Sequence, residues 1–382
     1  MEVSSTILSL AIILFAILLA PVFSYKVGVP LVVVEIAIGI ILGKSFLNMI
    51  TPNPWLDFFS YFGLIYLLFL AGLEVEFGEI RKRFTPVFSI ALASLLIPFT
   101  LGLFLGEYLG VNPFFMGTIF STTSLGVVLP LTRELKQREE FVFLLLRSTV
   151  IVDIVSMFLL TVSVEVFLKT LNYLFIFSVF YVVALFMLPF FFGRFKIGQK
   201  VRMCCGSNPY FYFEVRFCFA LIAILALLAE IIGFHAIIGA FVAGLIVSVI
   251  TWRGSLLERN LTSFGYGFFI PFFFIMVGVN TNLVALVKNI ENILIFLLVL
   301  LVGIFGKVFG VGLVSRIFNL TFKESFSLGF IKTARLSLIL AGVEIGRNIG
   351  ILNETFYSIF VLFSLFSVLI GPSIGKILLK KE

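Results

Sequence analysis

"YFGLIYLLFLAGLEVEF" (61–77) returns about 205 residues later as "YGFFIPFFFIMVGVNTNL" (266–283), with Gly72 matched by Gly278 and Glu74 and Glu76 matched by Asn280 and Asn282. Two more pairs keep that spacing: "AIGIILG" (37–43) with "VAGLIVS" (242–248), and "GLFLG" (102–106) with "GKVFG" (306–310). Agreement among three separate pairs argues for an internal duplication. The chain is 61% hydrophobic and 12% charged, with mean hydropathy +1.21, whereas a soluble protein carries about 25% charged residues. What is duplicated is therefore membrane-spanning, and the fold class is an all-α polytopic membrane protein. The 50 Phe residues serve as lipid-facing or packing bulk.

A helix needs about 20 mostly apolar residues to cross the hydrocarbon core. Thirteen stretches qualify: 5–24, 29–47, 58–76, 86–109, 112–132, 141–168, 171–193, 212–233, 236–252, 262–280, 291–317, 324–346 and 353–378. Matched spans lie seven apart in order, an odd number, so the two copies cross the membrane in opposite directions. Inverted-topology repeats are the mark of many secondary transporters, whose sites lie near the midplane where the copies meet.

Basic residues set the orientation. Alternate loops hold 18 Lys and Arg on one side, from Lys26 through the Arg194–Arg202 loop to Lys381. The opposite side has 4: Lys44, Lys169, Lys288 and Arg347. By the positive-inside rule the N-terminus is outside and the C-terminus cytoplasmic, with the cell (inner) membrane as location. The N-terminal segment has no basic leader or small-residue cleavage site, and reads as an uncleaved first span. Cys204 and Cys205 fall in the longest basic loop without a His nearby, so neither a metal site nor a disulfide is expected. Lipid is the evident partner, and the pattern calls for neither nucleic acid nor a cofactor. The last apolar run ends in "KILLKKE", and no nucleotide-binding domain is expected in this chain.

Asp153, in "RSTVIVDIVSMFLL" (147–160), is the charge that most needs a reason. An ionised Asp at bilayer depth costs about 2.5–3.5 kcal/mol even on the lenient insertion scale. Thr149 is four residues before it and Ser156 three after, so all three share a helical face. A carboxylate flanked by hydroxyls offers hard oxygen ligands to a small cation. Such a group holds either a proton or a metal ion, and each expels the other. An interhelical salt bridge to Lys307 is the competing structural reading. Lys307 lies in "GIFGKVFGVG", where Gly303 and Gly310 admit a close neighbouring helix.

Two stretches read as interrupted helices. "IFSTTSLGVVLPL" (119–131) puts Ser121, Thr122, Thr123 and Ser124 at mid-membrane depth, and "FIKTARLSLILAG" (330–342) puts Lys332, Thr333 and Arg335 in the corresponding span of the second half. Open backbone is tolerated there only where it is buried or lines a cavity. Positive side chains at one break can offset the negative C-terminal dipole ends of the other half-helices. The alternative for the hydroxyl run is back-bonding to the preceding turn. Glu35, Glu74, Glu230 and Glu344 lie toward span ends and are assigned snorkelling or pairing, and His235 is an ordinary interfacial residue.

"VPLVVVEIAIGIILG", "FGLIYLLFLAGLEVEF", "GFHAIIGAFVAGLIVS", "FFIPFFFIMVGVNTNL" and "TARLSLILAG" together resemble the membrane domain of monovalent cation:proton antiporters of the Kef and NapA type. The resemblance runs over nearly the whole chain. It implies a homodimer of NhaA-like fold with two crossed, broken helices and a mobile core. Dimerisation helices would occupy 1–83 and 212–288, core helices 84–170 and 289–382, and a linker with its basic loop 171–211. It further implies that Asp153 is the essential carboxylate, that the Ser121–Ser124 run helps ligate the ion, and that Lys307 is the basic residue of the eleventh span. The family shows a second polar group before the carboxylate, where this chain has Val152. A single acid favours electroneutral exchange, whereas a Lys307 that cycled its proton would make transport electrogenic.

The expectation is thus a sodium/proton antiporter, with lithium or potassium as further substrates. Asp153, Thr122, Thr123, Ser124, Thr149 and Ser156 would bind the ion or the proton, with Lys307, Arg335 and Lys332 charge-compensating or proton-linked. A Kef-like potassium efflux system and a sodium-coupled organic-anion symporter holding its substrate with Arg335 and Lys332 are the alternatives.

Overall fold

The computed structural model describes residues 2–50, 53–74, 83–134, 139–168, 213–231, 235–250 and 255–380. Among them every regular element is helical. In chain order these are α1 (Glu2–Val27), α2 (Leu31–Leu42), α3 (Pro54–Leu73), α4 (Phe84–Leu109), α5 (Pro113–Ser121), α6 (Leu125–Glu134), α7 (Glu139–Leu168), α8 (Phe213–Ile231), α9 (Ala236–Ile250), α10 (Leu256–Phe264), α11 (Ile270–Asn280), α12 (Leu283–Lys288), α13 (Ile290–Arg316), α14 (Phe322–Lys332), α15 (Ser337–Asn348) and α16 (Glu354–Lys380). A π turn over Gly265–Phe269 joins α10 to α11.

Eight helical stretches among the described residues are long and apolar enough to cross a membrane, and three shorter apolar helices accompany them. The sequence led to thirteen. Part of the difference is helix length: within the expected span 29–47, α2 has 12 residues, about 18 Å at 1.5 Å per residue, and the turn at 43–47 continues it. Three charged residues, Glu214, Arg216 and Glu230, leave α8 outside the eight. The expected span at 171–193 and the Cys204–Cys205 loop lie outside the described residues.

Helix starts follow from local chemistry. Asn53 accepts from the Trp55 and Leu56 amides ahead of Pro54, and Asn112 accepts from Phe115 N ahead of Pro113. Both combine an Asn cap with proline at the first helical position, where no amide is needed. Thr321 and Glu324 form a reciprocal capping box on α14.

The chain divides into two compact units. The first comprises Met1–Pro21, Thr51–Glu76 and Leu168–Met276. Here α3 and α9 meet at Gly72, whose missing side chain would strike the Phe241 carbonyl and Gly244. Tyr66 donates to the Leu261 carbonyl at 3.0 Å, and its ring lies 5.5 Å from that of Phe219.

The second unit comprises Val22–Ile50, Phe77–Phe167 and Val277–Glu382. Here α2 meets the end of α11 at Gly278, which abuts the Ile36 carbonyl and Gly39. The α4 and α5 backbones touch at Gly102 and Gly117, and Gly310 sets α13 against Ala93 and Ile97 of α4. Close approach through small residues substitutes for the hydrophobic drive that lipid removes. On α7, Val152 is fully buried and packs with Ala91 and Leu95 of α4.

Candidate ion site at two facing helix breaks

Within the second unit α5 stops at Ser121 and α6 resumes at Leu125. Thr122 turns extended there, with φ −58° and ψ 154°. The Ser121 and Thr122 hydroxyls bond back to the Thr118 and Ile119 carbonyls at 2.7 and 2.8 Å, so the back-bonding alternative holds for these two. The second break lies between Lys332 and Ser337, with Leu336 at φ −139° and ψ −77°. The two breaks face each other. Ser124 N donates to the Ala334 carbonyl at 3.0 Å, and the Ser124 and Ser337 hydroxyl oxygens are 3.4 Å apart.

Three fully buried cations serve these breaks. The Lys307 ammonium donates to the Ser121 carbonyl at 2.7 Å and also to that of Thr122. Arg335 donates from Nε to the Thr122 carbonyl at 3.1 Å, and from Nη2 to the Phe120 and Gly303 carbonyls at 2.8 and 2.9 Å. Both side chains thus meet the carbonyl end of α5, where the helix dipole is negative. Ser364 and Ser367 hold the main chain of Arg335, and Phe363 lies 5.1 Å beneath its guanidinium. Lys332 turns the other way. It donates to Ser148 Oγ at 2.7 Å and Thr149 Oγ1 at 3.5 Å on α7.

Asp153 sits at the opposite pole. Its Oδ2 accepts from Leu125 N at 3.2 Å, which places a carboxylate at the first amide of α6, where the dipole favours negative charge. Thr123, two residues ahead of Leu125, and Ser156, three beyond Asp153, are buried, and Thr123 Oγ1 and Ser156 Oγ have no hydrogen-bond partner. A buried hydroxyl without a partner loses the free energy of the bond it makes in water, and each here presents an oxygen to a hard cation.

All nine residues singled out in the sequence lie in this one unit. Thr149 differs from its expected surroundings, since its hydroxyl already donates to the Leu145 carbonyl at 2.8 Å and faces Lys332. Sequence reasoning missed Ser148, Ser364, Ser367 and Ser337. The spacing of Ser364 and Ser367, one helical turn apart in an apolar span, was the available signal. Glu35 is 2% exposed and does not snorkel, whereas Glu344 accepts from Tyr357 at 3.0 Å and Glu230 from Tyr61 at 3.3 Å. His235, outside the helices, lies 5.9 Å from the Tyr61 ring, and burial lowers its pKa below the usual value.

The family model for the transmembrane sodium/hydrogen exchangers matches residues 11–381. The chain belongs to this family. As a sodium/hydrogen exchanger family member it is a multi-pass secondary transporter and not an enzyme, and its cations are substrates. It is 30% identical to the putative Na(+)/H(+) antiporter YjbQ of Bacillus subtilis, aligning over 99% of this chain and 64% of that protein. It is 29% identical to the probable Na(+)/H(+) antiporter 3 of Methanocaldococcus jannaschii, over 96% of this chain and 94% of that one. The fold matches the sodium proton antiporter MjNhaP1 of Methanocaldococcus jannaschii at pH 8, with TM-score 0.72 and 19% identity over 98% of this chain and 99% of that one.

Proposed function

We propose that this exchanger moves sodium against protons at Asp153, with lithium and potassium as further candidate substrates. The observation that carries the reading is the carboxylate at the first amide of α6, with unpartnered buried hydroxyls close by in the chain, Thr123 two residues before that amide and Ser156 three after Asp153. An ionised Asp153 with these oxygens and the Ser124 hydroxyl takes a dehydrated cation; a protonated Asp153 releases it. Alternating access delivers the site to each side in turn. Lys307 and Arg335 hold the carbonyl end of α5, which supports a fixed structural charge at that end. Val152 leaves no second acid beside Asp153, which supports one-for-one, electroneutral exchange. Arg335 Nε and Nη2 and the Lys332 ammonium donate to carbonyls and hydroxyls of the protein, which leaves Arg335 Nη1 as the one donor nitrogen of the two side chains without a hydrogen-bond partner among the described residues and favours a structural over a substrate-holding role.

The full architecture belongs to the same proposal: thirteen spans, inverted repeats, crossed broken helices and a homodimer in the cell membrane with its N-terminus outside. Dimerisation helices would be 1–83 and 212–288, the linker 171–211, and the core 84–170 and 289–382. The glycine contacts support the repeat. Gly39 and Gly244 are equivalent by the offset of about 205 residues, as are Gly72 and Gly278. Gly72 meets Gly244, and Gly278 meets Gly39, so one contact occurs twice with the copies exchanged.

The test is purified protein in liposomes with an internal pH dye, given sodium, potassium and lithium in turn, with and without clamped voltage. Sodium-driven proton movement that ignores the clamp is the expected result. A cation current without coupled proton movement would overturn the exchange reading, and a rate that follows the clamp would overturn its stoichiometry.

A further inference from the structure

Two buried lysines serve the site, and their acceptors differ in kind. The Lys307 ammonium is fixed by two main-chain carbonyls at the end of α5. Lys332 has hydroxyls instead, one of them at 3.5 Å, the limit of a hydrogen bond. Both hydroxyls spend their own protons within α7, Ser148 on the Leu144 carbonyl at 2.6 Å and Thr149 on that of Leu145 at 2.8 Å. Each therefore turns only lone pairs toward Lys332, as it would toward a metal ion. Thr149 is one helical turn before Asp153 on α7. Lys332 is also the last residue of α14, directly before the break, on a flexible four-carbon stem. Its ammonium thus stands on the α7 face that carries the cation ligands, with the weakest hold of the three buried cations.

We propose that Lys332 is a tethered competitor for the transported cation: its ammonium occupies the Ser148–Thr149 end of the site and must yield there for a cation to bind beside Asp153. This deepens the exchange reading and rests on it. Lys332 is given no part in the proton transfer itself, so the one-for-one stoichiometry is untouched. Its role is to position charge and set cation affinity.

The experiment is the sodium dependence of proton movement in liposomes at one fixed pH just below neutrality, for wild type, Lys332→Met, Lys332→Arg and Ser148→Ala. Removing a unit charge within reach of Asp153 in a low-dielectric site should lower the sodium KM of Lys332→Met by about tenfold. Lys332→Arg keeps the charge and should show no fall. Ser148→Ala removes the anchor but not the charge, freeing the ammonium to lean on Asp153, so its KM should rise. A purely structural lysine would lose maximal rate and melting temperature in each variant without a fall in KM. Should Lys332→Met fail to fold, Ser148→Ala carries the test, and an unchanged or lower KM there overturns the proposal. A wild-type protein that moves no protons with sodium defeats the exchange reading itself. Wild-type exchange with an unchanged KM in a folded Lys332→Met defeats only the role given to Lys332.

Discussion

At the scale of single residues, Asp153 stood out because its neighbours in sequence are apolar, and a charge in such a run needs a compensating function. Its amide partner Leu125 was not legible, because that contact forms across 28 residues of chain. The same holds for Ser148, Ser364 and Ser367, whose importance lies in what they touch on other helices. If Thr123 and Ser156 ligate the cation, Thr123→Ala and Ser156→Ala should each raise the sodium KM several-fold. Their melting temperatures should stay near wild type, since no hydrogen bond is lost. Arg335→Ala should behave oppositely. It strips donors from the Thr122, Phe120 and Gly303 carbonyls at once. The Thr122 carbonyl keeps the Lys307 ammonium; with about 1–3 kcal/mol for a buried group left unpaired and the packing on Phe363 lost, thermal unfolding in detergent should occur at a lower temperature.

Among the elements, both broken helices were visible in advance, one as a run of four hydroxyl residues and the other as charges inside an apolar span. The break points match the sequence reading because Thr122 and Leu336 leave helical geometry there. The shortness of α2 was less legible. Apolar residues continue past its end, but Gly43 lies against the Val279 backbone, where a side chain would not fit. The α14–α16 contact is similarly tight: a side chain at Gly371 would strike Thr333 Oγ1 and the Phe330 carbonyl. Gly371→Val should therefore push α16 away from the second break, lowering both stability and exchange. Thr321→Ala, which removes only the capping box, should cost about 1 kcal/mol and leave the sodium KM unchanged, as transport and melting measurements can check.

For the whole molecule, class and membrane character followed from composition and apolar spacing, because lipid permits few other backbone solutions. The number of spans was less secure, since apolar length does not distinguish one crossing helix from two half-helices meeting at a break. The proposed topology predicts that Lys323→Cys, in a protein with Cys204, Cys205 and Cys218 replaced by serine, reacts with an impermeant maleimide only from the cytoplasm. Asn348→Cys should react only from outside, and the reverse pattern would invert the topology. The central claim remains chemical: one carboxylate carries cation and proton in turn. Its most direct test is sodium-induced dye dequenching in liposomes holding equal amounts of folded wild type and Asp153→Asn. The account predicts a response from wild type and none from Asp153→Asn at any sodium concentration; exchange by Asp153→Asn at the wild-type rate would contradict it.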